Sequence, residues 1–182
     1  MQNGARIAAL IEIIEQLQQE WKAETPRPMA QQLRHYFRTR RYIGSKDKRF
    51  IKESLYALIR RYGLLLHLQS HLALAPTSRN LTLMHLATQN ETADLASLFS
   101  GAPYHPSPLT ETESHACNEA PQRLESLTAD EKRALSFPPW LFEQIKQAIA
   151  PDIFPSLCEA LHQTAPTDVR CNITLASLPK IQ

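Results

Sequence analysis

Apolar residues recur every three or four positions along most of the first 100 residues, which is typical of amphipathic α-helices. The first such pattern covers residues 5–21, and the second follows two prolines and reaches about Thr39. The clearest pattern runs from about Lys46 to Tyr62, where the apolar side chains share one face. We therefore predict three helices over this part of the chain.

Further helices are predicted beyond these three. The apolar run after Gly63 predicts a central helix that ends at Pro76, and shorter helices are predicted over about 79–88 and 92–99. No strand pattern occurs here, and the predicted links are short. The sequence thus predicts an all-α bundle that covers residues 1–100.

The turn before the clearest helix reads RRYIGSKDKR. Gly44 suits a left-handed turn position, and Ser45 is a favourable residue for the helix N-cap. Asp47 lies where the helix dipole favours an anion. The predicted helix therefore begins at about Lys46.

Residues 101–136 are predicted to form a linker with short helices. The segment GAPYHPSP is proline-rich and is expected to be extended. Two capping boxes follow, in which Thr110 precedes Glu113 and Thr128 precedes Glu131 by three positions. Each box marks the start of a helix.

A second unit is predicted over residues 137–182. Pro138 and Pro139 open a helix that Pro151 ends, and another helix is predicted over about 153–161. Alternating apolar residues then predict a strand over residues 169–173. One strand cannot form a sheet, so we expect this unit to be the truncated start of a small α/β subdomain.

Charge is distributed unevenly along the chain. Residues 1–80 hold 14 lysines and arginines and 6 acidic residues, whereas residues 81–182 hold 6 and 12. Ten of the basic residues lie between Arg34 and Arg61, interleaved with aromatic residues. This basic segment is interpreted either as an RNA-contacting surface or as a solvated helix face, and Tyr36 and Phe37 are expected in the core.

Patterns that indicate catalysis or cofactor binding are absent from the sequence. The cysteines Cys117, Cys158 and Cys171 form no pair with metal-binding or redox spacing, and no glycine-rich nucleotide loop occurs. His67 and His71 have a spacing that can share a metal, but an apolar run surrounds them and favours packed or hydrogen-bonded histidines. We expect no catalytic residue and no metal site.

Targeting signals are also absent, since no long apolar run precedes the first acidic residues and no apolar stretch reaches 18 residues. Scattered cysteines without a disulfide pattern favour a reducing compartment. The expectation is a cytoplasmic protein without a membrane segment.

Two stretches resemble one protein family. RRYIGSKDKRFIKESLYALIRR resembles the N-terminal helical domain of bacterial Sun/RsmB-type RNA (cytosine-5) methyltransferases, a domain similar to the antitermination factor NusB. FPPWLFEQI and, further on, LCEALHQTAPTDVRCNITLASL resemble the start of that family's methyltransferase module, which leads into an RRM-like subdomain. The two matches occur in family order.

The resemblance implies an RNA-binding N-terminal region, over residues 1–100, of an enzyme that uses S-adenosylmethionine to methylate cytosine, usually in ribosomal RNA. The family's cofactor domain and its two catalytic cysteines lie downstream, so no cofactor is expected in this chain, and the catalytic domain is expected in the same parent protein. The RNA contacts that the resemblance implies for this chain are Arg40, Arg41, Lys46, Lys48, Arg49 and Arg170. For Arg170, beside Asn172, a structural role that bridges subdomains remains open.

Two other interpretations remain open at this point. One is a stand-alone NusB-like factor that assembles with another protein and RNA, against which the FPPWL and PTDVRCN segments argue. The other is a protein-docking domain whose basic face is merely solvated.

Overall fold

The computed structural model describes residues 1–89 and 94–165, which form helices joined by short links. Over these residues the fold is all-α, as predicted, whereas the NusB-like bundle and the α/β subdomain stay predictions. The helices are α1 (Asn3–Glu20), α2 (Met29–Thr39), α3 (Ser45–Arg60), α4 (Tyr62–His71), α5 (Ser78–Ala87), α6 (Leu95–Leu98), α7 (Glu111–Ser126), α8 (Ala129–Ser136), α9 (Pro139–Ala148) and α10 (Phe154–His162). The predicted strand over 169–173 lies outside the described residues.

The main core forms around α1 and α5. Helix α1 packs against α2, α3, α5 and α6, and α5 also packs against α4 and α7. The largest fully buried side chains are mostly leucine and isoleucine, among them Leu10, Ile14, Ile51, Leu55, Leu58, Leu65 and Leu81. Tyr36 and Phe37 join this core, as expected from the sequence.

Helix α5 is more enclosed than the apolar helix α4, which the sequence predicted to be central. Seven of the ten residues of α5 are buried, including four polar ones. Local hydrogen bonds satisfy several of these groups: Thr82 Oγ1 donates to the Ser78 carbonyl at 2.8 Å, and Asn80 Nδ2 donates to the Ala75 carbonyl at 3.0 Å. In α4, by contrast, Leu66, Ser70 and His71 are exposed.

The start of α3 differs in detail from the prediction. Gly44 is the N-cap, with φ −70° and ψ 168°, so it is extended rather than left-handed, and Ser45 is the first helical residue. Asp47 lies in the first turn as predicted, where it is buried. Its carboxylate accepts a hydrogen bond from Arg6 Nε at 2.7 Å, so this anion ties α3 to α1.

Both predicted capping boxes are present, at Thr110 with Glu113 and at Thr128 with Glu131. The helix that the first box opens, α7, has 16 residues rather than a short span, and it contributes Ala116, Cys117 and Ala120 to the core. Part of the predicted linker therefore packs as a member of the bundle. The domain limits at 100 and 137 remain predictions.

The last three helices pack around a small aromatic cluster. In the order His162, Phe137, Phe142 and Phe154, successive ring centroids lie 4.7 to 6.5 Å apart, and Cys158 is the buried residue of α10. Pro139 lies at the first position of α9, as the sequence predicts. Helix α8 joins this group to the bundle, because α8 also packs against α4.

Among the described residues, no helix has both the length and the apolar character that crossing a bilayer requires.

Candidate nucleic-acid interface

A groove of about 640 Å³ runs between α2 and α3 and carries four cations. Arg34 and Arg38 lie four residues apart on α2, and Lys48 and Lys52 lie four residues apart on α3. Residues with this spacing share one face of a helix, so the two helices present facing pairs of positive charge. We call this feature, with its walls of Leu33, Phe37 and Tyr56, the basic groove.

Aromatic rings accompany the cations in the basic groove. Lys52 Nζ lies 5.7 Å from the centroid of the Phe37 ring, a cation–π distance. Tyr56 is 38% exposed at the groove wall. None of the four groove cations forms an ion pair within residues 1–89 and 94–165, so their charges are available to a ligand.

The positive surface continues over the outer face of α2. A second cavity of about 450 Å³ is lined by Arg27, Gln31, Arg34, His35 and Arg38. Arg27 is paired with Glu20 there, since its Nη2 lies 2.7 Å from Glu20 Oε2. Hydrogen bonds from the side chain and then from the backbone amide of Arg27 lower the pKa of Glu20 to about 2. Arg34 and Arg38 line both this cavity and the basic groove.

The acidic residues within the basic segment are paired with cations. Asp47 contacts Arg6 and, at 3.1 Å, the α-amino group of Met1. These contacts, with the hydrogen bond from Arg6 foremost, lower the pKa of Asp47. Glu53 lies 3.3 Å from Arg49 across one turn of α3. Repulsion of a polyanion by these two carboxylates is thereby reduced.

Arg40, which the resemblance implies as an RNA contact, has partners within the fold. Its guanidinium lies 3.9 Å from the centroid of the Tyr36 ring and forms an ion pair with Glu12 of α1. The hydroxyl of Tyr36 donates to the same carboxylate at 2.7 Å. A phosphate contact by Arg40 stays a prediction, but this geometry gives it a structural role.

The other sequence-predicted contacts are spread over the turn and the start of α3. Arg41 and Lys46 are exposed, and Arg49 is exposed beside Glu53. Of the predicted set, Lys48 lies in the basic groove. Arg170 lies outside the described residues. Most of the predicted contacts in the described part of the chain therefore lie outside the basic groove.

Sequence reasoning did not single out Arg34, Arg38 and Lys52 within the basic segment. The signal that identifies them is the four-residue spacing on two successive helices, which places each pair on one helical face. Which faces meet depends on the packing of α2 and α3. That relationship is tertiary and has no counterpart in the local sequence.

The histidine pair on α4 is described by its geometry. The rings of His67 and His71 are 4.9 Å apart, and His71 is exposed with Arg123 as a hydrogen-bond partner, so it is not packed in the core. Burial and the neighbouring His71 lower the pKa of His67. Within the described ranges, no three histidine, cysteine or acidic side chains are grouped to hold a metal ion.

Comparison with family models, curated proteins and solved structures gives no match. The resemblance to the cytosine-5 methyltransferases therefore depends on the sequence motifs alone.

Proposed function

We propose that this chain binds RNA through the basic groove and positions it for a methyltransferase domain of the same protein. The observation that carries the proposal is the facing arrangement of Arg34 and Arg38 with Lys48 and Lys52. Four cations without ion-pair partners in the described part of the chain favour a polyanionic ligand. The exposed aromatic ring of Tyr56 beside them favours a nucleic acid.

The physical basis of binding is the neutralisation of phosphates. Each lysine or arginine that contacts a phosphate releases condensed counterions, so affinity falls as salt concentration rises. Arginine adds a planar set of donors that matches phosphate oxygens. Since the sequence predicts no catalytic residues in this chain, its proposed role is to bind the RNA and to position it.

The sequence motifs support the enzymatic context. RRYIGSKDKR in the turn before α3 and FPPWL before α9 resemble the cytosine-5 methyltransferase family in family order. On this proposal, residues 1–100 are a NusB-like RNA-binding domain, and residues 137–182 begin the methyltransferase module with its small α/β subdomain. S-adenosylmethionine would be bound by the catalytic domain, and the RNA would be ribosomal RNA in the cytoplasm.

The proposal is tested by comparing two charge-matched double variants in filter-binding titrations with a ribosomal RNA fragment at several salt concentrations. Arg38→Ala/Lys48→Ala removes two cations from the basic groove, and Lys22→Ala/Lys146→Ala removes two exposed cations elsewhere. We expect the groove variant to reduce the magnitude of the salt slope by about 1.4 to 1.8. The matched variant should change it far less.

Equal effects of the two variants would show that net charge alone drives binding, which contradicts the proposed interface. Absence of salt-dependent RNA binding by the unaltered chain contradicts RNA binding itself. Circular dichroism of each variant checks that the helices are retained.

A further inference from the structure

A further groove, larger and mostly apolar, lies on the other side of the C-terminal end of α2 from the basic groove. It measures about 950 Å³ and runs between the first half of α1, the α2–α3 turn and the segment 102–104. The small side chains of Ala5, Ala8 and Ala9 line it on α1, and Tyr36, Tyr42 and Tyr104 line it elsewhere. We call it the tyrosine groove.

Two of its tyrosines are unusually exposed. Tyr42 is 73% exposed and Tyr104 is 86% exposed, whereas Tyr36 is part of the core. Tyr104 also has φ +68°, a left-handed backbone conformation that residues other than glycine rarely adopt. A strained backbone that presents an aromatic ring to solvent indicates a functional position when the surrounding structure maintains it.

The surrounding structure does maintain it. His105 Nε2 lies 2.7 Å from Gln2 Oε1, and His105 Nδ1 lies 2.8 Å from Ser100 Oγ. The imidazole packs so closely against Gly4 of α1 that a Cβ there would clash with the ring. These contacts hold the segment with Tyr104 against the N-terminal end of α1.

The charges around the tyrosine groove are compatible with a polyanion that is bound nearby. Its acidic lining residue, Glu12, is neutralised by Arg40 and accepts the hydroxyl hydrogen of Tyr36. Arg41 immediately precedes Tyr42 and is exposed. The groove therefore offers flat aromatic and small apolar surface beside cations, which is the combination that single-stranded RNA-binding surfaces use for bases and phosphates.

We infer that the tyrosine groove binds unpaired nucleobases, stacked on Tyr42 and Tyr104, of an RNA strand whose phosphates lie in the basic groove. This inference rests on the proposed function, and it adds a preference for single-stranded RNA. The C-terminal end of α2 separates the two grooves, since Tyr36 lines one and its neighbour Phe37 lines the other. One strand that crosses this end of α2 would reach both.

The test compares two ligands by fluorescence anisotropy: an oligouridine of about ten nucleotides and an abasic ribose-phosphate strand of the same length. Stacking predicts that the unaltered chain binds oligouridine about tenfold or more tightly than the abasic strand. Tyr42→Ala/Tyr104→Ala should abolish this preference and leave the salt slope unchanged. Tyr42→Phe/Tyr104→Phe keeps the rings and should keep the preference.

Trp140→Ala is the matched control, because Trp140 is an exposed aromatic residue that lines neither groove. Equal binding of the two ligands by the unaltered chain overturns the inference and leaves the proposed role of the basic groove unaffected. Retention of the preference by the alanine variant also overturns it. Loss of salt-dependent binding to both ligands contradicts the proposed function as well.

Discussion

The guanidinium of Arg79 in α5 forms two hydrogen bonds with the carboxylate of Glu113 in α7, Nε to Oε1 at 2.6 Å and Nη2 to Oε2 at 3.0 Å. Arg79 also donates to the carbonyls of Ser107 and Pro108, and Glu113 accepts the amide of Thr110 at the start of α7. The pair thus fixes both the segment before α7 and the packing of that helix.

We expect Glu113→Gln to lower the free energy of unfolding at pH 7 by about 1.5 to 3 kcal/mol, because it replaces charge-assisted hydrogen bonds with neutral ones. The hydrogen bond from Arg79 lowers the pKa of Glu113 below the ordinary value of 4.5. The carboxylate's contribution is therefore complete above that ordinary value and is lost as pH falls through the folded-state pKa. Urea unfolding at a series of pH values measures this.

The difference between the variant and the unaltered chain should thus shrink below pH 4.5. Glu125→Gln, an exposed change on the same helix, is the control and should leave the acid response unchanged. A constant difference across the acidic range would contradict the ionic role of Glu113.

Arg40 and Arg41, although adjacent, should behave differently when replaced by alanine. Arg40→Ala removes the Glu12 ion pair and the cation–π contact with Tyr36, so we expect about 1 to 2 kcal/mol lower stability. Arg41→Ala should change stability by less than about 0.5 kcal/mol, because the side chain is exposed. Thermal unfolding measures both.

RNA titration completes this comparison. If Arg41 contacts a phosphate, Arg41→Ala reduces the magnitude of the salt slope by about 0.7 to 0.9. A slope unchanged by Arg41→Ala would remove Arg41 from the interface. Equal stability losses in the two variants would contradict the structural role assigned to Arg40.

Gly63 should tolerate no side chain. A Cβ at this position would clash with the carbonyl oxygen of Leu135, where α4 and α8 meet. We expect Gly63→Ala to lower the free energy of unfolding by about 1 to 3 kcal/mol despite the better helix propensity of alanine, because a rigid backbone must move. Urea unfolding at equilibrium measures the change.

Gly44 provides a control of opposite sign. Its backbone is extended, and the nearest atom to an added Cβ, Asp47 Oδ2, would lie at an ordinary 3.5 Å. Gly44→Ser should raise stability by about 0.5 kcal/mol, since serine is the better N-cap and restricts the unfolded chain. Unchanged or raised stability in Gly63→Ala would contradict the clash with Leu135.

Tyr104 should show a conflict between stability and binding. Tyr104→Gly relieves the left-handed strain, so we expect it to be about 1 kcal/mol more stable than Tyr104→Ala, which keeps the strain. Both changes remove the ring and should weaken binding to oligouridine equally. Paired thermal unfolding and anisotropy measurements test this, and equal stability of the two variants would contradict strain at this position.

Helix positions were largely predictable because periodicity and caps are local. The start of α7 at Thr110 follows from a threonine and a glutamate three residues apart, and the structure places both in the capping box. The constraint at Gly63 is not visible in the local sequence. The sequence predicts a helix that begins after Gly63, but Gly63 lies inside α4, where an added Cβ would clash with Leu135, 72 positions later.

The candidate site was less predictable, because tertiary contacts bring its residues together. The basic segment was evident from composition, but the pairing of Arg40 with Glu12 spans 28 positions and joins two helices. Charge patterns along one helix could not separate that structural arginine from Arg38, which faces the groove.

Burial of polar residues in α5 also depends on hydrogen bonds such as that of Thr82, which hydropathy does not represent.

The two cysteines in the part of the chain that the structure describes are buried, and they can report when their own regions open. Cys117 lies in the main bundle and Cys158 among the last helices, and burial raises the pKa of both thiols, that of Cys117 to about 11. In a Cys171→Ser background, a thiol reagent at neutral pH would modify each sulfur only when its own region unfolds locally. The two modification rates would therefore measure the opening of the main bundle and of the C-terminal helices independently.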